Sequence, residues 1–576
     1  MQVPYQFPEP WRVETREFDE SQAFQHAIIT MSGNGYCGLR GALPDWRSDR
    51  YAGATVADTY DNADGVWKEL CNVPNGLYLS VTADGRSLSA EQASTYVHGL
   101  DFATGTTYGE LVFAHTGGST GGAARSGGAA RSGGAARSGD DTRSGGRDGI
   151  RFRWTRFASY ENLHLSLQRV TIESPVDCRL ALRWGIDGEV WSLNGEHFRR
   201  AEPSWEGSRA QTRLETSETG LEVAVVSLLA AGFADSESVK RTAYGRSAWA
   251  DTEISCTGGT PLDFWIATAV YHGNDGPDPT TAAHAALDDL REQGFDEHRR
   301  RHELRWSEMW DSFDVHIDGN DEDQRLLRYN TYHNIIATPA HTDHLPIGAR
   351  GLSCQAYQGA AFWDQEIFNL PMYVYTRPEI ARNILRYRHK TLDGARRKAD
   401  RLGYRGAFYA WISGDTGDEL CPDFFFRDVI TGRKIRNHFN DWQIHVSPDI
   451  SYAVWQYYRA TGDRQFLVDS GAEILFEVAR FLYSHAFYKK EKDRFEIIRV
   501  LGPDEYHENV DNSVFTNVQA RYALDRALEA YEMLADAGRP SEALADIRSR
   551  IGLTDDELAG WREMAEKLYI PQPDSE

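Results

Sequence analysis

The stretch LGPDEYHENVDN, Leu501 to Asn512, gathers Asp504, Glu505, His507, Glu508 and Asp511 in a Gly-Pro loop. Glycosyl transfer to water or phosphate needs one carboxylic acid that protonates the leaving oxygen. The pKa of that acid must be raised by apolar surroundings or by neighbouring negative charge. Glu505, crowded by Asp504, is the residue that can meet this need. A solvated acidic loop or a cation site accounts for the same residues equally well. An EF-hand calcium loop is disfavoured, because the D-x-[DN]-x-[DN]-G pattern is absent. A second stretch, FWDQEIF, sets Phe362, Trp363 and Phe368 beside Asp364 and Glu366. Trp363 can stack on the apolar C–H face of a sugar ring while Asp364 accepts two hydroxyl hydrogen bonds. The alternative is a core tryptophan next to a helix-capping aspartate.

Two further stretches carry candidates. AFYAWISGDTGDELCP places Tyr409, Trp411, Asp415, Asp418 and Glu419 on one loop-like run. DWQIHVSPD puts Gln443 and His445 just before a helix, where a lone histidine is more often a structural hydrogen-bonding residue than a catalyst. No GxSxG, Walker A, HExxH or kinase set is present, and GNGYCG lacks the context of a dinucleotide fingerprint.

The elements that must position these residues differ between the two halves of the chain. Residues 1–270 read as β-rich. Leu77 to Gly85, His164 to Ser174, Cys178 to Gly188 and Leu221 to Phe233 are apolar, β-branched and partly alternating, with turn signals between them. Many short strands of this kind predict a sandwich. Inside this region Gly121 to Gly139 repeats GGAARS, so Thr116 to Asp148 is expected to form a flexible surface loop. From Pro279 to Phe313 the charged periodicity predicts a linker helix between domains. Beyond Asn320 the texture is that of a helical barrel or solenoid with functional residues on one set of loops. Thr376-x-x-Glu379 with Pro378 predicts a capping box that opens a helix along Ile380, Ile384, Tyr387, Ala395, Ala399 and Leu402, stopped by Gly403. Ser447-Pro448-Asp449 predicts the start of another helix ending at Gly462, and further helices are predicted around Leu475 and Tyr522.

Composition narrows the function classes. The 576 residues allow about three or four domains. Hydrophobic residues at 41% with 26% charged residues indicate a folded protein. A formal net charge of −24 argues against broad nucleic-acid wrapping or docking on an anionic membrane. No run of about 18 apolar residues predicts a transmembrane helix, and the start MQVPYQFPEPWRVETREFDE does not read as a signal peptide. Cys37, Cys71, Cys178, Cys256, Cys354 and Cys421 are scattered without metal spacing, which suggests reduced, buried thiols in a cytoplasmic protein.

Several motifs in order resemble glycoside hydrolase family 65. Near the start these are Trp11-Arg12-Val13-Glu14, Phe18-Asp19, the run Gly33-Asn34-Gly35-Tyr36-Cys37-Gly38-Leu39-Arg40-Gly41, and Asn72-Val73-Pro74-Asn75. In the second half they are FWDQEIF, PEIARNILRYRHKTLDGARRKA, ISYAVWQYYRATGD and GPDEYHENVDNSVFTN. That family includes maltose, kojibiose, nigerose and trehalose phosphorylases and some hydrolases. The resemblance implies a multidomain β + α fold: an N-terminal β-sandwich over residues 1–270, a helical linker over 271–320 and a catalytic (α/α)6 barrel over 321–576. It implies an inverting reaction in which Glu505 is the general acid, Trp363 and Asp364 hold the glucose ring, and inorganic phosphate attacks the anomeric carbon without a second carboxylate. Phe362, Trp411, His445 and Asp504 complete the expected substrate-binding set. The expected substrates are an α-linked glucosyl disaccharide and phosphate, giving β-glucose 1-phosphate, with no cofactor and no metal. A family hydrolase and an inactive carbohydrate-binding fragment are the alternatives.

Three departures accompany the resemblance. Ala360 stands where members carry His, and Ala410 and Ile412 stand where they commonly carry Pro and Glu. Members also continue beyond KLYIPQPDSE with a Lys-Gln motif and a phosphate-binding loop, so the barrel is expected to be incomplete. The resemblance leaves room for a homodimer and for a separate C-terminal piece.

Overall fold

The computed structural model describes residues 6, 9–47, 50, 52–63, 68–114, 149–190, 192–353, 355–536 and 539–572. The Gly/Ala/Arg/Ser repeat, with the loop expected over 116–148, lies outside the described residues.

The β-branched runs form the expected strands. The Asn75–Ala83, Leu165–Glu173 and Cys178–Asp187 strands each end within two residues of the span read from sequence, and the Glu222–Ala230 strand stops three residues short of Phe233. Nine strands form one antiparallel sheet in the order Arg12–Thr15, Thr95–Asp101, Thr106–Ala114, Gly149–Ala158, Leu165–Glu173, Leu262–His272, Glu222–Ala230, Arg209–Thr216, Phe198–Glu206. Five strands form a second sheet in the order Lys240–Tyr244, Ser247–Cys256, Cys178–Asp187, Asn75–Ala83, Arg86–Ser87. Alternate residues of both sheets enter one core. Phe152, Trp154, Val170 and Ile172 come from the larger sheet, and Leu77, Leu79, Leu180 and Leu182 from the smaller. The period of two in the strands thus becomes two apolar faces closed on each other.

Helices follow the sheets. The expected linker helix is two helices, Pro279–Gln293 and Phe295–Phe313, because Gly294 adopts φ 84 and breaks the turn between them. The first packs Ala283, Ala286, Leu287 and Leu290 on Leu167, Val226 and Leu228 of the large sheet. The capping box at Thr376 does not form. The Thr376 hydroxyl donates back to the Met372 carbonyl, and Arg377 rather than Thr376 precedes the Pro378–Lys390 helix. The continuous face read from Ile380 to Leu402 is likewise two helices, Pro378–Lys390 and Leu392–Arg401, interrupted at Thr391, whose hydroxyl donates to the Tyr387 carbonyl. Gly403 does close the second, at φ 82. The Val446–Thr461 helix ends on Gly462 in the left-handed region. The Ala472–His485 helix is buried at every position from Ala472 to Leu482, and with the Val446–Thr461 and Val514–Leu534 helices it forms the centre of the helical core. Among the described residues no helix is long and apolar enough to cross a membrane.

The glycine-rich N-terminal run holds the two halves together. A Cβ on Gly38 would lie 2.2 Å from the Leu352 carbonyl oxygen, and one on Gly35, at φ 78, would lie 2.1 Å from that of Thr338. Hydrogen bonds fasten the same seam. Tyr332 donates to the Met31 carbonyl (3.0 Å), Tyr60 to that of Gly359 (2.7 Å) and Gln355 to that of Leu70 (2.9 Å). Val13, Leu100 and Phe102 of the sheets share one core with Trp306, Trp310 and the helices behind them. Gly38→Ala is therefore expected to lower stability by about 1–3 kcal/mol, since backbone rather than a flexible side chain blocks the added methyl. Chemical denaturation checks this, and an unchanged unfolding midpoint would show that the seam yields.

Candidate active site

The Phe362–Glu366 segment is positioned from behind. Glu366 and Arg388 are both fully buried and paired through two bonds of 2.8 Å. Gln365 donates to the same carboxylate at 2.6 Å, and Arg388 also donates to the Phe362 carbonyl at 3.3 Å. Burial opposes the Arg388 charge, but Glu366 outweighs it, and the guanidinium is held above its ordinary pKa. The segment then runs into a π-helical turn, Gln365–Asn369. Pro371 follows and has no N–H for the Ile367 carbonyl, so the widened turn absorbs a bond that a regular helix would lack.

This anchoring leaves Trp363 and Asp364 half-buried at the surface. Phe368 and Phe515, both exposed, flank the Trp363 ring at centroid distances of 5.3 and 6.5 Å. Apart from its own backbone N–H, the Asp364 carboxyl has no hydrogen-bond partner among the described residues, which leaves it free to accept from a ligand. Its pKa is raised, first by burial and then by the field of Glu366. Phe362 packs edge-on against Trp411 at 5.3 Å, and Trp411 stacks on Phe439 at 4.9 Å. Ala360 and Ile412 are buried in the same small cluster.

The acidic loop is closed at its base. Val500 and Val510 exchange backbone bonds of 2.9 Å, and the Asn512 N–H donates to the Ile497 carbonyl at 2.7 Å. The Leu501 N–H reaches the Trp442 carbonyl at 3.0 Å, which sets the loop beside Gln443. Gln443 Nε2 donates to Glu505 Oε1 at 2.8 Å. Its Oε1 faces His445 Nε2 at 3.2 Å, His445 Nδ1 faces Asp449 Oδ2 at 2.7 Å, and Gln519 donates to Asp449 Oδ1 at 3.0 Å. The His445 ring meets the Trp363 ring at 5.2 Å and 90°. A chain of contacts thus joins Glu505 to Trp363.

The placement of the remaining candidates is mixed. Glu505 is solvent-exposed rather than set in apolar surroundings. Asp504 turns to His507 Nδ1 at 2.6 Å, and that bond holds its pKa below the ordinary aspartate value. Asp415 pairs with Lys68 of the sheet domain, Asp418 with Arg397, and Glu419 with the buried Lys398. Glu419 also accepts the backbone N–H groups of Trp411, Ile412 and Cys421, so these carboxylates shape the Trp411 loop. Tyr409 is buried and donates to the Arg388 carbonyl. Residue reading missed Asp449 and Gln519. The i, i+4 spacing of His445 and Asp449 at a helix start was a signal for the first, while nothing local marked Gln519. Among the described residues no group of three or more His, Cys, Asp or Glu is placed to hold a metal ion.

Arg388→Met is expected to cost about 3–5 kcal/mol, because Glu366 would stay buried without its partner. Adding Glu366→Leu is expected to restore most of that loss in urea unfolding. Full stability in the single variant would contradict this account of how Trp363 and Asp364 are held.

The sequence matches the Glycosyl hydrolase family 65 central catalytic domain over residues 328–576 and the Glycosyl hydrolase family 65 N-terminal domain over 13–121 and 134–309. The 1,2-alpha-glucosylglycerol phosphorylase of Bacillus selenitireducens is 44% identical, over 98% of this chain and 69% of its own. The kojibiose phosphorylase of Halothermothrix orenii is 32% identical, over 98% of this chain and 71% of its own. The nigerose phosphorylase of Lachnoclostridium phytofermentans is 29% identical, over 98% of this chain and 73% of its own. A solved structure from the human microbiome superimposes over 99% of this chain and 71% of its own with a TM-score of 0.82 at 20% identity, which shows a shared fold. The chain belongs to glycosyl hydrolase family 65.

Proposed function

We propose that this family 65 protein cleaves an α-glucosyl disaccharide or a related α-glucoside by inverting phosphorolysis. The contact chain from Glu505 through Gln443 and His445 to Trp363 supports the reading, because a proton donor and a sugar platform must serve the same glycosidic bond. In this reading Trp363 stacks on the glucose ring and Asp364 accepts its hydroxyl hydrogens. Phe362, Trp411 and His445 back the platform. Asp504 borders the acid.

Glu505 gives its proton to the glycosidic oxygen as the C1–O bond breaks. An oxygen of inorganic phosphate forms a new bond to C1 from the opposite face. The leaving sugar departs as a neutral alcohol, and the product is β-glucose 1-phosphate, with Glu505 left as a carboxylate. Phosphate is itself the nucleophile, so no second carboxylate is needed to activate water. One acid facing the platform suits such a reaction, which needs no cofactor.

The same proposal assigns residues 1–270 to a β-sandwich, 271–320 to a helical linker and 321–576 to a catalytic unit of (α/α)6 type with the site at its mouth. The facing sheets and the buried central helices support that division. The names of the relatives make 1,2-α-glucosylglycerol, kojibiose and nigerose the first compounds to test.

Glu505→Gln is expected to lower turnover about 10²–10⁴-fold with an unchanged unfolding midpoint. Phosphate-dependent release of glucose 1-phosphate is the measurement. Near-normal turnover in the variant would remove Glu505 from the acid role. Phosphate-independent release of glucose by the parent protein would replace phosphorolysis with hydrolysis.

A further inference from the structure

We propose that His445 and Gln443 act as positioning residues that fix which oxygen of Glu505 carries the acid proton. The inference rests on the reading of Glu505 as the general acid.

The argument starts at the buried end. Asp449 is fully buried, and Gln519 can only donate to its carboxyl through the amide nitrogen. At the other end Gln443 directs its amide nitrogen to Glu505 Oε1, so its carbonyl oxygen must face His445 Nε2. A carbonyl oxygen accepts but cannot donate, so Nε2 carries a hydrogen. Nδ1 and Asp449 Oδ2 then share the remaining proton. With that proton on either atom, Nε2 stays a donor.

The consequence reaches the acid. Glu505 Oε1 is occupied by an amide N–H, so a protonated Glu505 carries its hydrogen on Oε2. If the relay ran in reverse, the amide carbonyl would face Glu505, and the carboxylic hydrogen would be spent on it instead of on a glycosidic oxygen. His445 also touches Trp363 edge-on, so one imidazole registers both the platform and the acid.

Gln443→Leu tests the chain, because it removes the N–H from Glu505 Oε1 and leaves the contact between His445 and Asp449 in place. The titratable groups facing His445 are Asp449 on its own helix, Glu505 across Gln443, and Glu366, whose field acts on Asp449. The Trp363 and Phe515 rings that pack against it are uncharged.

The variant is expected to lose about 10²-fold in kcat with little change in KM. A folded Gln443→Leu protein with parental kcat, or with its loss confined to KM, overturns the proposal.

A second measurement does not depend on turnover. Imidazole ¹⁵N chemical shifts of the parent protein are expected to report Nε2–H at His445, and the neutral Nδ1–H form there would overturn the relay even if Gln443→Leu fails to fold. A parent protein that makes no glucose 1-phosphate, yet shows Nε2–H, would instead sink the reading of Glu505 and leave the relay standing.

Discussion

The buried pair between Glu366 and Arg388 is the constraint on which the site depends. Two opposite charges with no exposure are tolerable only when their remaining hydrogen-bonding capacity is met. Gln365 and the Phe362 carbonyl meet much of it, and both belong to the segment that must be held. The pair therefore works as a clamp more than as a source of stability. It draws the backbone of residues 362–366 inward and turns the next two side chains, Trp363 and Asp364, outward. Tyr409 ties the same residue to the Trp411 loop, through a bond to the Arg388 carbonyl and a ring 5.9 Å from its guanidinium.

A second constraint acts between the halves of the chain. The glycines near the N-terminus let backbone meet backbone at Leu352 and Thr338, in the stretch that leads to the clamped segment. Lys68 reaches across to Asp415 on the Trp411 loop. The sheet domain is therefore a structural support for the loops of the helical domain, and strands and site loops form one continuous packed body. The Pro279–Gln293 helix belongs to that support, because it lies on the large sheet.

The residues singled out for sugar chemistry separate into those that the fold unites and those that it employs elsewhere. Trp363, His445, Gln443 and Glu505 meet although they come from three separate stretches of sequence. Asp415, Asp418 and Glu419 looked alike as loop carboxylates, yet each is engaged by a cation that lies far away or on another element. Glu505 lacks the apolar pocket anticipated for it. Its defining contact is an amide from Gln443.

Strand positions were legible because alternation is a local property: Leu180, Leu182 and Trp184 point one way whatever they pack against. Helix stops at Gly403 and Gly462 were legible for the same reason, since a left-handed turn asks for glycine on its own account. The breaks at Gly294 and Thr391 were harder, as the charged periodicity runs through both. Sequence by itself determined the order of sheets and helices and the motifs of family 65. Only the tertiary structure decided that Arg388 clamps Glu366, that Asp504 answers to His507, and that Gln519 closes a relay ending at Glu505. Those facts depend on desolvation and on hydrogen-bond partners brought together by folding, and neither is encoded in the spacing of residues along the chain.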